Sequence, residues 1–439
     1  MYKQNFYISS KPVKVMMRNR FINSSWKGLK LYAERVRGFQ PNARLYLVNV
    51  IMAGIAMGIF RLLFNFFVLS LGFDQALLGQ LVTTSALTGL IMALPMGYLA
   101  DLLGRKMSLL LASGATSLAI ALMVLFPQVG MLYAMNFVFG VSQSLAGVTM
   151  SPFLMENSSD MERTYLFSFS SGLQMVSASV GNWIGGYLPA WMAVGAGVSA
   201  MSSQAYGSAM LVTAAGAGLA LIPLALMRMQ QQVKSERTVF APIHYAVQHP
   251  AMLSKLILPM LVTSIGAGLI MPFMNVFFRD VYQQPDSVIG TLFAWGSLSM
   301  GIGLLIAPPL ADRMGKIQFV VITQALSIPF LAMLGFAPWF WMSTVAYYVR
   351  VALMNMSGPV YQTFVMEHVD PSSRATVASL VNMAWNFGWA FSPSISGWLQ
   401  VRYGFGPAFM GTIILYTLSV WMYWKFFWRG AKNLQPSNG

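Results

Sequence analysis

Two arginines, Arg61 and Arg350, stand deep inside long apolar runs, and every one of the twelve acidic residues lies elsewhere, at helix ends or in loops. A guanidinium stays protonated in such a place and offers planar, paired N–H donors to a carboxylate or phosphate. A charge within a membrane is costly, tends to face a cavity and marks a candidate functional site. Asn65 follows Arg61 by four residues and shares its helical face; Tyr347 shares a face with Arg350, and Asn355 comes a turn later. Trp385 joins this set from an aromatic cluster with Phe387 and Trp389. Together they suit an anionic or zwitterionic small molecule held near mid-membrane. The competing role is structural, with each arginine satisfying helix-end carbonyls or stacking on rings such as Phe60 and Phe64.

A second constellation mixes acid and base. The stretch GYLADLLGRK places Gly97, Asp101, Gly104, Arg105 and Lys106 directly after an apolar run, and PPLADRMGK repeats the knot with Asp312, Arg313, Gly315 and Lys316. A tight reversal between two helices calls for glycine. An aspartate there can accept hydrogen bonds from N–H groups at a helix N-terminus, and Arg105 or Lys106 can pair with Glu156. The pairs Glu156/Arg163 and Glu367/Arg374 flank two further loops, each expected near the opposite knot. Solvated loop charges are the plain alternative.

Enzyme chemistry is missing. With no cysteine there is neither a disulfide nor a thiolate metal site. His244, His249 and His368 lack metal-ligand spacing, and there is no phosphate-binding G-x-x-x-x-G-K-[ST] loop. Neither a cofactor nor a metal is expected, and transport would be passive or powered by a gradient. Many proton-coupled carriers keep a buried carboxylate. Here a proton would pass through a peripheral one such as Asp74 or Glu156, or another ion or none is coupled.

These residues must be positioned by membrane helices. Over half of the 439 residues are hydrophobic and 9% are charged, against roughly a quarter in soluble domains. Stretches of about 20 apolar residues recur, each able to cross a bilayer as a helix, and the short alternating segments of a β-barrel are not seen. Helices are predicted at about 45–71, 76–98, 107–127, 131–155, 164–190, 207–228, 252–278, 287–309, 318–336, 339–365, 374–400 and 405–428. The basic arm 1–44 is not a cleavable signal. Trp26, Leu29, Ala33 and Val36 fall there at helical spacing, which suits either a helix on the membrane surface or a tail that only fixes topology. With both termini cytoplasmic, 23 of the 27 lysines and arginines fall on that side, leaving Arg279 and Arg402 outside and Arg61 and Arg350 within helices. The net charge of +15 thus sets orientation and does not advertise nucleic acid.

The chain also repeats itself. At one constant offset Asp101 meets Asp312, Gly104 meets Gly315, Glu156 meets Glu367, Arg163 meets Arg374, Gly79 meets Gly290 and Gly186 meets Gly397. Two six-helix bundles follow, residues 45–228 and 252–428, with a cytoplasmic linker 229–251 and a tail 429–439.

Two parallel halves, each with the knot after its second helix, resemble the major facilitator superfamily of secondary transporters. The first knot matches the family signature except at Leu102, the second except at Pro308. The resemblance implies an all-α fold of twelve transmembrane helices in two pseudo-symmetric bundles, with helices one, four, seven and ten around a central cavity. It implies knots that hold a cytoplasmic gate shut and break as the halves rock. The fifth helix ends Gly181-Asn182-Trp-Ile-Gly185-Gly186, which is similar to the family's antiporter motif with Asn182 in place of proline; in the family that motif goes with efflux. The expectation is a monomeric permease of the cell membrane that moves a small organic solute, alone or with a coupling ion, a proton or another. Efflux of an amphipathic or anionic compound leads, with uptake of a small organic anion as the alternative. A transport-silent sensor or scaffold is the alternative of another class.

Overall fold

A computed structural model describes residues 38–228, 250–367, 369 and 374–429. The arm with Trp26, Leu29, Ala33 and Val36, the linker from 229 to 249, the three histidines and the C-terminal tail lie outside the described residues.

Among the described residues twelve helical elements follow one another. In the first half α1 is Pro41–Ser70, α2 is Gln75–Ile91 continued by Ala93–Leu103, α3 is Arg105–Leu125, α4 is Val129–Glu156, α5 is Asp160–Ala196, and α6 is Ser203–Leu219 continued by Leu221–Ala225. In the second half α7 is Pro250–Ile270 with a 3₁₀ turn Met271–Phe273 and a last piece Met274–Tyr282. Then come α8, Asp286–Met314; α9, Lys316–Phe336; α10, Phe340–Glu367; α11, Arg374–Tyr403; and α12, Gly406–Tyr423 with a π turn Trp424–Trp428. Seven of these helices, or eight with the bent α2, are long and apolar enough by themselves to cross a membrane. Of the others, α5 and α11 carry serines that bond to the partner half, Ser179 to the Ala294 carbonyl and Ser394 to Thr83.

Local chemistry explains the ends and breaks. Asp74 caps α2 by accepting from the Leu77 N–H at 2.9 Å, and Ser202 caps α6 through Ala205, each satisfying an otherwise orphaned donor. Pro41 opens α1 at its first turn, where its missing N–H costs nothing. The prediction treats α2 and α7 as unbroken; the structure bends α2 by 58° at Met92 and breaks α7 at Met271–Phe273. Pro95 and Pro272 supply the reason, because each removes the hydrogen bond to the carbonyl four residues back.

The halves share one packing plan. α1 lies on α5 and α6, as α7 lies on α11 and α12; α4 lies on α2 and α3, as α10 lies on α8 and α9. Across the halves the main contacts are α2 with α11 and α5 with α8. They follow an approximate two-fold axis: Gly290 lies against the Asn182 carbonyl as Gly79 lies against that of Pro393, and Gly186 lies against the Asp286 carbonyl as Gly397 lies against that of Gln75. Lipid tails give helices no hydrophobic reason to associate, so such joins depend on small residues that let backbones touch.

The buried apolar core shows where the molecule is closed. One cluster joins both halves, from Phe60, Phe66, Leu78 and Tyr206 to Phe273, Phe278, Ile289 and Phe409, at the end carrying the α1–α2 and α7–α8 loops. Toward the knots the core divides. Tyr46, Leu109 and Phe153 belong to a cluster of the first half alone, and Val320, Tyr361 and Tyr423 to one of the second half alone. The halves are joined at one end and parted at the other.

Candidate functional site

Arg61 lies on α1 between two contact strips. On one flank Phe60 packs on Phe139 of α4, with ring centroids 4.8 Å apart, and the Gln143 amide lies 4.0 Å from the Met57 sulfur. On the other flank Asn65 donates to the Pro272 carbonyl at 2.6 Å and to Asn275 Oδ1 at 2.7 Å, both on α7. At about 100° per residue, Arg61 projects between these strips, toward the middle of the bundle. It is exposed there although Phe60 and Leu62 beside it are buried, and it neither pairs with nor stacks on any described residue. Exposed polar and small positions continue toward the parted end: Gly147 and Ser151 on α4, and Gly358 and Gln362 on α10. Arg61 and these positions face the space between the halves, which is closed at the end where Asn65 meets α7.

The other cavity candidates divide. Asn355 is half-buried, and its amide donates to the Val351 carbonyl at 2.8 Å. Trp385 is half-buried against the joined core. Asn65, Tyr347 and Arg350 are enclosed, which departs from their expected place on the cavity surface. Arg350 is 2% exposed; its Nη2 donates to Tyr416 Oη at 3.0 Å, and its Nη1 lies 3.6 Å from the Met271 sulfur. Tyr347 packs edge-on against Phe278 and Phe293, in the space left by Gly296. A phenol oxygen, a soft sulfur and aromatic faces accommodate the Arg350 cation within the wall of the second half.

Both knots are built on left-handed glycines: Gly104 has φ 87° and Gly315 φ 88°, where a side chain would be strained. In the first knot Arg105 donates to Asp101 at 2.7 Å and to Glu156 at 3.0 Å, so one guanidinium ties the α2–α3 turn to the end of α4. Lys106 turns instead to the Ala225 and Met227 carbonyls at the end of α6. In the second knot Lys316 pairs with Glu367, while Asp312 and Arg313 are exposed and pair with no described residue. Every one of these bonds stays within its own half, so Glu156 and Glu367 do not sit at the opposite knot as expected. The parting of the halves carries each far from the other's turn. Arg163 begins α5, half-buried, and Gly97 is half-buried on α2; the side chain of Arg374 lies outside the described residues.

The fifth-helix glycines are packing surfaces. Gly181 meets Gly58 and the Ile55 carbonyl of α1, Gly185 meets Ile59, and Gly186 crosses to Gly290 of α8. Asn182 offers its carbonyl to the same crossing.

Two features escaped the sequence reading. Asn275 answers Asn65 almost at the repeat offset, and its amide donates to the Leu62 carbonyl at 2.8 Å, completing a clasp between α1 and α7. A one-residue slip in the repeat hid it. The second is a charged cluster at the joined end, Arg279 with Asp286, Tyr206 and Phe66, for which no spacing gave a signal. Among the described residues no group of His, Cys, Asp and Glu could hold a metal.

Two pseudo-symmetric six-helix bundles, joined at one end and parted at the other, define a membrane carrier. The chain belongs to the Major Facilitator Superfamily, whose profile matches it over residues 46–393 and 256–439. A stretch of 185 residues is 20% identical to a multidrug resistance protein MdtG of Dickeya zeae (strain Ech586), covering 41% of this chain and 45% of that protein. The chain thus aligns with less than half the length of that relative. Solved structures of similar fold include a bacterial homologue of the human lysosomal transporter Spinster in an inward-facing, occupied conformation (TM-score 0.73, 13% identity, 91% of this chain and 99% of that one). The nucleoside transporter NupG (TM-score 0.70, 14% identity, 90% and 100%) and a D-xylose-proton symporter (TM-score 0.68, 14% identity, 87% and 97%) are also similar. At these identities the likeness is one of fold.

Proposed function

We propose that this transporter is a permease exporting a small amphipathic organic anion across the cell membrane, with Arg61 as the cation that anchors it. The observation carrying this reading is the unpaired, accessible guanidinium of Arg61 in an interior without a carboxylate. A carboxylate or phosphate entering from the parted end meets a bidentate donor that has no competing anion. Asn355 and Trp385 supply polar and aromatic surface nearby, while Arg350 and Tyr347 shape the wall behind. The excess of lysine and arginine around the knots supports a cytoplasmic position for the parted end, where the knots would brace each half as a gate. Outward flux is supported by the Gly181-to-Gly186 motif and by the partial likeness to a multidrug resistance protein. If a proton is coupled, it passes through a peripheral carboxylate such as Asp74 or Glu156, since no acidic residue lies within the predicted spans; otherwise another ion or none is coupled.

Ligand-dependent thermal stability of the purified protein tests the anion reading, using organic carboxylates, phosphates, cations and neutral amphiphiles. Stabilisation by anions that is lost in Arg61→Gln and retained in Arg350→Gln is expected. Equal stabilisation of wild type and Arg61→Gln by cations or neutral compounds would overturn it. Counterflow in proteoliposomes with the stabilising compound then decides direction, and net uptake under an imposed gradient would replace export.

A further inference from the structure

The joined end carries one pair of formal charges in contact with both halves. Arg279, in the last turn of α7, forms an ion pair with Asp286 at the start of α8. Both belong to the second half, and their side chains are 13% and 14% exposed. The surface that receives them belongs to the first half. The Arg279 guanidinium lies 3.3 Å from the centre of the Phe66 ring of α1 and 5.3 Å from that of Tyr206 of α6. The Tyr206 hydroxyl donates to Asp286 at 2.6 Å and accepts from Arg279. The other polar ties between the halves at this end, Asn65 with Asn275, Gln75 with Asp280, Ser394 with Thr83 and Ser179 with the Ala294 carbonyl, join no pair of opposite charges.

We propose that Phe66 and Tyr206 form the socket, and Arg279 and Asp286 the plug, of an outer latch that sets the balance between the two open states of the carrier. When the outer ends of α7 and α8 leave α1 and α6, the ion pair travels intact with its own half. What breaks is the cation–π contact and both bonds to the Tyr206 hydroxyl. Hydrogen bonds to charged groups are the stronger ones, and a cation on an aromatic face gains when water is excluded. The latch therefore favours the state closed on this side, and weakening the socket releases it without unpairing a charge. This inference rests on the rocking of the two halves, not on the nature or direction of the substrate.

The chain contains no cysteine, so single reporters can be placed in the native background. Thr83→Cys reports the outer seam, where Thr83 bonds Ser394, and Ser151→Cys reports the parted inner end. Labelling of purified protein by a water-soluble maleimide is followed at each, in wild type, Tyr206→Phe and Phe66→Leu. The expected result is labelling of Thr83→Cys accelerated by about tenfold in either socket variant, with labelling of Ser151→Cys slowed. Tyr423→Phe, which alters a buried tyrosine far from the seam, should change neither. Unchanged labelling of Thr83→Cys in both socket variants would overturn the latch. Faster labelling at both reporters would overturn it too, because it shows loosened packing and not an exchange of open ends.

Discussion

Gly186 and Gly290 touch backbone to backbone across the seam: a Cβ on Gly290 would lie 2.8 Å from the Gly186 Cα and 2.6 Å from the Asn182 carbonyl oxygen. The obstacle is main chain, which cannot swing aside. Gly290→Val should therefore keep the outer end from closing while each half still folds. Transport by the purified variant in proteoliposomes should fall at least about tenfold, the effect of roughly 1–3 kcal/mol of overpacking. Unaltered flux would show that the seam yields.

Arg350 and Tyr416 should respond with opposite signs. Arg350 is a buried cation bonded only to the Tyr416 hydroxyl and, weakly, to the Met271 sulfur among the described residues, and its Nε has no partner. Replacing such a charge by an apolar side chain of similar volume is often neutral or stabilising, so Arg350→Met should leave the melting temperature unchanged or raised. Tyr416→Phe strips the bond and leaves the charge in place, which should cost about 1–3 kcal/mol. Thermal unfolding of the two variants checks the pair.

The two knots should differ in worth. The Arg105 side chain is 12% exposed and reaches two carboxylates, whereas Lys316 and Glu367 are 30% and 51% exposed and form one pair. Arg105→Ala should lower stability by about 1–2 kcal/mol, and Lys316→Ala by no more than about 0.5 kcal/mol, with the smaller effect fading in high salt. Denaturation at low and high ionic strength compares them.

Asn65 and Asn275 should couple. Each single change to alanine removes the bond between them while the survivor keeps another partner, Asn65 the Pro272 carbonyl and Asn275 the Val276 N–H and Leu62 carbonyl, so each should cost about 0.5–1.5 kcal/mol. In the double variant both partners go together, so its loss should be smaller than the sum by about 1 kcal/mol. Strict additivity in a double-mutant cycle would show that the clasp carries no joint energy.

Composition, charge asymmetry and one repeat offset made the fold legible, because membrane helices and duplicated knots leave linear marks. Pro95 and Pro272 were visible marks of broken helices as well, hidden within spans that hydropathy alone treats as continuous. The knots were legible as turns through Gly104 and Gly315. The pairing of Arg105 with Glu156 was legible too; whether Glu156 also reaches the opposite knot was not, since that depends on how far the halves have parted. Arg61 and Arg350 look alike in sequence, at similar depth in equivalent surroundings. Tyr416 and Met271 separate them, and neither lies near Arg350 along the chain. Burial is a property of the packed neighbours.

The seam built on Gly79, Gly186, Gly290 and Gly397 has a kinetic consequence. Closing it brings together backbone already fixed in helices, with no long side chain at the points of contact to lose rotamer freedom, a loss that reaches about 2 kcal/mol for the longest side chains. Shutting and reopening this end therefore involve little ordering entropy at the join itself. The temperature dependence of turnover should then reflect chiefly the enthalpy of the contacts broken and remade at the seam, polar ties and close backbone packing alike.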